Sequence, residues 1–343
     1  MKELPVLPES LNRIYEQSLS LISANALAAG VKLSVFDNLR EPVTAESLAK
    51  KQGLNPGATQ VLLDTLAACG HIEKKDGLYR NMPDTNCFLV SDSPAYYGGI
   101  LLREYQRNSM SPDTIVERVK SGPVPQSHTD DMCNEGFWES YARSMANWER
   151  AGTAQILASV ISGLPEFSSF RTMLDLGGGP GLIGIAVLKK HPSMTGVVFD
   201  QPSVIPVTKE FISAYDMDDR MSTLGGNYLK DSFGEGYDLV FCSCTLNFAK
   251  HCMGTMIQRI YDALSPGGVF VSLHDGMVEE GTSPRVHVLN MMTSALSGFS
   301  CSLDKGFIVD AMKIAGFSTI TSKQIVLDVG PFELDIGIKE KAG

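Results

Sequence analysis

The residues with the clearest chemical purpose form one run, Met173-Leu174-Asp175-Leu176-Gly177-Gly178-Gly179-Pro180-Gly181-Leu182-Ile183-Gly184. An apolar strand enters three glycines and leaves as a helix. Glycine there permits a tight turn and lets a ligand approach the backbone with no Cβ in the way. A second strand, Gly196-Val197-Val198-Phe199-Asp200, ends in an acid 25 positions after Asp175. In a doubly wound sheet that acid lies beside the loop and accepts hydrogen bonds from ribose hydroxyls. Gly177, Gly179 and Gly184 do not keep the Gly-x-Gly-x-x-Gly spacing of dinucleotide sites, and Pro180-Gly181 interrupts it. Asp175 before the loop is poor company for a pyrophosphate, which needs the helix N-terminus. A cationic sulfonium and an amino group suit acidic surroundings better. The loop therefore points to S-adenosylmethionine rather than NAD.

Transfer of a sulfonium methyl is an in-line displacement, in which positioning does most of the work. A base is needed only where the nucleophile carries a proton at working pH. Three histidines are candidates for that role: His251, His274 and His287, with His287 and His251 ranked above His274. His287, Asn290, Met291 and Met292 are expected on a helix covering an acceptor pocket. Tyr141, Met145 and Trp148 recur at helical spacing within Phe137–Ile161, where they serve either the core or the lining of that pocket. Cys242, Cys244 and Cys252 could suggest a thiophilic ion. They lack a fourth ligand and paired Cys-x-x-Cys knuckles, so no metal is expected.

These residues need a scaffold. Apolar strands are expected near Thr172–Leu176, Thr195–Asp200, Tyr237–Ser243, Gly268–Leu273 and Ser318–Leu327, with helices between. That alternation predicts a mostly parallel, Rossmann-like α/β sheet covered on both faces. The first hundred residues differ. Thr44 caps a short helix over Ala45–Lys51, and Asn55-Pro56 opens another that Gly70 stops. Asp76-Gly77 is a hairpin turn signal between two short strands. Two helices and a hairpin in this order make a winged-helix pattern. The expected organisation is a winged-helix-like domain over 1–105, a linker or loop over 106–135 rich in Ser, Pro and Asp, and the sheet domain over 136–343.

Bulk properties narrow the partners. The 343 residues carry a formal charge of −10 with no Lys/Arg cluster, which argues against a nucleic-acid substrate. The second helix of the winged-helix pattern carries Asp64 and no Lys or Arg. A dimerisation platform is the favoured reading of that domain. The N-terminal MKELPVLPES does not read as a secretory signal, and no apolar stretch is long enough for a transmembrane helix. Seven scattered cysteines are expected as reduced thiols in a cytoplasm.

From about residue 15 to 338 the chain resembles the class I small-molecule O-methyltransferases of plant and bacterial type, which carry an N-terminal dimerisation domain. Leu174–Gly181 is similar to the family's glycine motif. Phe199-Asp200-Gln201-Pro202 is similar to its ribose-binding strand end, and Gly225-Gly226-Asn227-Tyr228 to its adenine-holding segment. Tyr237–Val240 and Leu264–Gly268 match the start of the fourth strand and the turn before the fifth. The resemblance implies that Gly177 and Gly179 face the methionine part of the cofactor, that Asp200 and Gln201 hold the ribose, and that Asn227 and Tyr228 flank the adenine. Ser243 matches a serine near the methionyl group, and Met145 a methionine packed against the site. It also implies a homodimer and a small aromatic or otherwise apolar acceptor. One departure is central: where many relatives carry Leu-His-Asp-Trp, this chain reads Leu246-Asn247-Phe248-Ala249-Lys250-His251. Asn247 stands in the place of the base, and an amide cannot take a proton. The family's later glutamate, expected near Ser300–Asp304, is not evident. C- or S-methylation, or a non-methylating use of the cofactor, remains the alternative. An S-adenosylmethionine-sensing winged-helix regulator is the rival of another class.

Overall fold

The computed structural model describes residues 10–124 and 135–341. It divides into two compact units, Met1–Gln106 and Arg107–Gly343.

In the first unit, α1 (Asn12–Lys32) is followed by α2 (Ala45–Gln52), α3 (Pro56–Ala68) and the antiparallel hairpin of β1 (Ile72–Lys75) and β2 (Leu78–Asn81). The caps are those the sequence names. Thr44 accepts from the Ser47 N–H at the start of α2, and Asn55 from the Ala58 N–H at the start of α3, with Pro56 at the first helical position. Asp76 and Gly77 both take positive φ, as a tight hairpin turn requires. Val43 bridges to Tyr79 and adds a third short strand segment. Phe36, Leu39, Leu48, Leu63, Leu66, Ile72 and Tyr79 form the core. Asp64 accepts from Lys74 Nζ at 2.6 Å and from the Tyr79 hydroxyl at 2.7 Å, so the acid of α3 is spent tying that helix to the hairpin. The ion pair and hydrogen bonds with Lys74 and Tyr79 hold its carboxyl below the ordinary range. Two further helices, α4 (Pro83–Phe88) and α5 (Gly98–Arg107), follow.

The second unit contains a seven-stranded sheet in the order β5-β4-β3-β6-β7-β9-β8. Its strands are β3 (Thr172–Leu176), β4 (Thr195–Asp200), β5 (Met221–Gly225), β6 (Tyr237–Ser243), β7 (Leu264–His274), β8 (Thr319–Leu327) and β9 (Gly330–Ile338). The pairs from β5 to β7 are parallel, and β9 runs antiparallel between β7 and β8. After β3 the chain builds outward through β4 and β5, then returns to lay β6 on the other side of β3. The strand order reverses there, and an open sheet of this kind binds its ligand in the crevice at that reversal.

Three features differ from the sequence reading. Residues 106–135 were expected as a linker, yet α6 (Pro112–Ser121) occupies much of the described part, capped by Ser111. Residues 125–134 lie outside the described residues. Its Ser and Pro residues look like loop signals, but Ser111-Pro112 is a helix start. The helical pattern expected over Phe137–Ile161 is there but broken into α7 (Glu135–Trp148) and α8 (Ala154–Ser162), joined by a π-helical turn at Glu149–Thr153 in which Gly152 has φ 121°. Strands β5 and β9 were not foreseen; β5 (Met221–Gly225) has no period-two pattern, whereas Phe332, Leu334, Ile336 and Ile338 alternate along β9 and gave a signal the sequence reading passed over. The remaining helices are α9 (Leu182–Lys190), α10 (Ile205–Ala214), α11 (Met253–Ala263), α12 (Arg285–Leu296) and α13 (Phe307–Ala315).

Candidate active site

The glycine loop leaves β3 at the strand reversal. Gly177, Gly179 and Gly181 have φ of 67°, 54° and 77°, conformations that a side chain disfavours. A Cβ at Gly177 would collide with Thr245 Oγ1, from the segment after β6. At Gly179 a Cβ would meet nothing within 4 Å, so the loop presents bare backbone to open space. The Thr208 hydroxyl pins that backbone by donating to the Gly179 carbonyl at 2.6 Å. Gly181 is the N-cap of α9.

Three carboxyl groups surround the loop. Asp175 is 2% exposed and accepts from the Gly184 N–H at 3.2 Å. Glu149, in the π turn and 5% exposed, accepts from the Ile183 N–H at 3.2 Å. Both thus sit at the positive N-terminal end of α9. Asp200 accepts from the Gly179 N–H and the Gln201 N–H, each at 2.7 Å. Burial raises all three, and carboxylate repulsion adds to it for two of them: the Asp175 carboxyl is pushed up to about 7, Glu149 well above its ordinary value, and Asp200 upward by burial alone. Asp175, Gly177, Gly179, Asp200 and Gln201 are therefore brought together. Glu149 was missed by sequence reading; an acid inside an apparent helix gives no signal of its own.

Across the crevice, β6 ends at Ser243, whose Oγ is buried with no partner. Cys244 follows at φ 51° and turns the chain, so Cys242 and Cys244 do not continue one strand face. Burial pushes the Cys244 thiol up to about 12. Among the described residues no His/Cys/Asp/Glu group is arranged to hold a metal ion. Tyr228 donates its hydroxyl to the Thr245 carbonyl at 3.0 Å. Asn227 accepts from the Leu229 N–H at 3.0 Å, so its amide oxygen already serves its own turn.

Asn247 lies on a 3-10 segment, Leu246–Cys252. Its Nδ2 donates to Asp275 Oδ1 and to the Cys301 carbonyl, both at 3.0 Å, while its Oδ1 is buried without a partner. Asp275 directly follows β7 and also accepts from the Leu303 N–H at 3.1 Å. Sequence reading missed Asp275, although an acid at the C-terminal end of a central parallel strand is where this sheet type places function. The neighbouring Phe248 meets Trp138 edge-on at 5.6 Å and Phe299 in a stack at 6.1 Å; Tyr141 contacts Trp138 at 5.8 Å. Met291 reaches this group through Cys301, sulfur to sulfur at 4.0 Å.

The other candidates are placed differently. His287 donates from Nε2 to the Pro331 carbonyl at 2.6 Å and packs edge-on against Phe332 at 4.6 Å. Trp148 joins the same cluster, 6.2 Å from Phe332. His274 is fully buried, with Nε2 on Asp335 at 2.9 Å and Nδ1 accepting from the Gly276 N–H at 3.2 Å. His251 is exposed on the 3-10 segment; Met145 and Asn290 are partly buried on α7 and α12.

Glycine backbone facing open space, an acid at each neighbouring strand end and an orphaned Ser243 hydroxyl fit an adenosyl cofactor with a cationic methionyl end. Fold and site are those of a class I S-adenosylmethionine-dependent methyltransferase. The chain belongs to the O-methyltransferase family with its own dimerisation domain: the O-methyltransferase domain profile matches residues 127–298 and the O-methyltransferase dimerisation domain profile residues 15–91. It is similar to the N,N-dimethyltransferase OxyT of Streptomyces rimosus, 26% identical over 86% of this chain and 87% of that one. The 3-hydroxy-5-methyl-1-naphthoate 3-O-methyltransferase of Streptomyces sahachiroi is 27% identical over 81% of each chain. Human N-acetylserotonin methyltransferase, solved with S-adenosylmethionine, shares the fold at TM-score 0.79 and 20% identity, over 98% of this chain and 100% of that one.

Proposed function

We propose that this enzyme methylates a flat, largely apolar aromatic small molecule, without a histidine base. The observation that carries the reading is the segment after β6: the amide of Asn247 directly precedes Phe248, whose ring packs with those of Trp138 and Phe299. Flat rings and a methionine suit a planar apolar acceptor. The bound cofactor supplies an electrophilic sulfonium methyl. The protein's part is to hold and orient. Gly177 and Gly179 present backbone, Asp200 and Gln201 hold the ribose, Tyr228 and Asn227 flank the adenine, and Ser243 donates toward the methionyl end. Asp175 and Glu149 supply negative charge behind the loop. Met291 and the aromatic wall keep water from the acceptor, and Met145 and Asn290 border the same space.

Nothing in this arrangement assigns the proton work to His287, whose Nε2 proton is committed to a carbonyl. One relative acts, by name, on a naphthoate hydroxyl, which supports an aromatic acceptor here, and another is by name an N,N-dimethyltransferase. The working form is a homodimer, supported by the dimerisation domain. The six free cysteines among the described residues suit a reducing cytoplasm.

The test is calorimetry with S-adenosylhomocysteine followed by a panel of aromatic acceptors read by product mass. One site per chain with micromolar affinity, on the order of −8 kcal/mol, and a 14-dalton gain on a planar acceptor are expected. Failure to bind S-adenosylhomocysteine would end the methyl-transfer reading.

A further inference from the structure

The amide of Asn247 can take only one orientation. Its Nδ2 faces two acceptors, Asp275 Oδ1 and the Cys301 carbonyl, each at 3.0 Å. Turning the amide over would set its oxygen against two oxygens. Both N–H groups are thus consumed, and Oδ1 is left buried with no donor. A buried unpaired oxygen is costly unless a donor arrives. Asp275 strengthens it further, because a carboxylate accepting from the amide nitrogen polarises the amide and makes its oxygen a better acceptor.

The two thiols beside Asp275, those of Cys244 and Cys301, stay protonated at neutral pH and offer no base. Burial pushes the Cys244 and Cys301 thiols up to about 12 and about 11. Lys250 donates to the Ser302 carbonyl at 2.6 Å. A phenol, with an ordinary pKa near 10, would remain protonated beside them. A neutral amine on an aromatic ring needs no base before attack: its lone pair is free and its N–H is a donor.

We propose, resting on the methyl-transfer reading above, that the acceptor atom is the nitrogen of an aromatic amine, held by an N–H···O hydrogen bond to Asn247 Oδ1. The nitrogen lone pair forms the new N–C bond as the C–S bond breaks. The C–S electron pair stays on sulfur, which becomes a neutral thioether. The positive charge passes to nitrogen, which then sheds one proton to water. Because the charge on N–H grows along this path, the bond to Asn247 Oδ1 is tighter in the transition state than in the bound neutral amine. Asn247 is on this account a catalytic residue that selects amines over hydroxyls, not an empty replacement for a base.

A matched pair of probes, 2-naphthylamine and 2-naphthol, tests this on the full-length protein with S-adenosylmethionine. The expected result is kcat/KM for the amine at least about 10-fold above that for the naphthol at neutral pH, the scale of one charge-assisted hydrogen bond. With S-adenosylmethionine saturating at every pH, the amine rate should be flat from about pH 6.5 to 9, because no general base takes part in the transfer. Calorimetry supplies a readout apart from turnover. On protein saturated with S-adenosylhomocysteine, Asn247→Leu should weaken 2-naphthylamine binding about 10-fold while S-adenosylhomocysteine affinity holds. Asn247→His should raise turnover of the naphthol. Equal or better turnover of the naphthol by the unaltered enzyme overturns the amine assignment, and so does amine binding that ignores Asn247→Leu. S-adenosylhomocysteine bound normally with neither probe methylated overturns it as well. Only the loss of S-adenosylhomocysteine binding strikes the methyl-transfer reading itself.

Discussion

At the scale of single residues, the carboxyl groups behind the glycine loop set the pH behaviour. Burial carries Asp175 from 3.8 to about 7; the hydrogen bond from the Gly184 N–H pulls the other way, and the Asp200 charge adds a smaller push upward. The folded chain therefore holds this proton more tightly than the unfolded one. Its contribution to stability is complete below about pH 4 and is lost as pH rises through about 7. Melting temperature without ligand should fall across that window. Asp175→Asn, which keeps an oxygen for the Gly184 N–H, should flatten the fall; equal slopes in the two proteins would count against the assignment. Affinity for the cationic cofactor should run the opposite way, rising as Asp175 ionises, and calorimetry at pH 6 and 8 measures it. Asp200 has a different task. Asp200→Ala should cost roughly 1.5–3 kcal/mol of cofactor affinity by removing a charged acceptor, with little change in melting temperature. Unchanged S-adenosylhomocysteine binding by calorimetry would show that the ribose lies elsewhere.

At the scale of elements, the site is a meeting of two strand ends. The loop after β3 and the segment after β6 touch at Gly177 and Thr245, so neither can be reshaped alone. Gly177→Ala meets a left-handed backbone, at roughly 1–2 kcal/mol, and also the Thr245 side chain. The variant should melt lower and bind S-adenosylhomocysteine more weakly. Adding Thr245→Ala relieves the collision and leaves the backbone strain, so the double variant should recover part of the melting temperature. A strictly additive pair in thermal denaturation would refute the contact. The same view explains His287. Its ties to Pro331 and Phe332 hold α12 to the start of β9, so its loss should show in stability before turnover.

At the scale of the whole molecule, α1 and the residue that caps it carry a strip of apolar side chains left exposed among the described residues. Leu11, Ile14, Tyr15, Leu21 and Ile22 are each more than half exposed, Leu21 at 68%. Their spacing of three, four and seven along α1 makes one face of a helix, the pattern of a helix that packs against another. With the dimerisation domain profile over 15–91, the prediction is that this face forms the seam between two copies. Leu21→Lys combined with Ile22→Lys should shift the full-length protein from dimer to monomer in light scattering at micromolar concentration. A dimer that survives both charges would move the seam elsewhere.

The sequence alone determined whatever depends on local order. Thr44, Asn55-Pro56 and Asp76-Gly77 act through neighbours one to three residues away, and so does the strand–glycine–helix run at Met173–Gly184. Each could be read where it stands. The cofactor end of the site was legible for that reason, since Asp175, Gly177, Gly179 and Asp200 belong to one βαβ unit. The acceptor end was not. Asp275, Cys301 and the rings of Trp138, Phe248 and Phe299 come from segments far apart in the chain. The sequence showed an amide where relatives carry a histidine; only the tertiary structure placed Asp275 and the Cys301 carbonyl on that amide's nitrogen and left its oxygen free. A hydrogen bond's direction depends on what lies across space from it, and distant chain meets Asn247 only because the strand order reverses between β3 and β6.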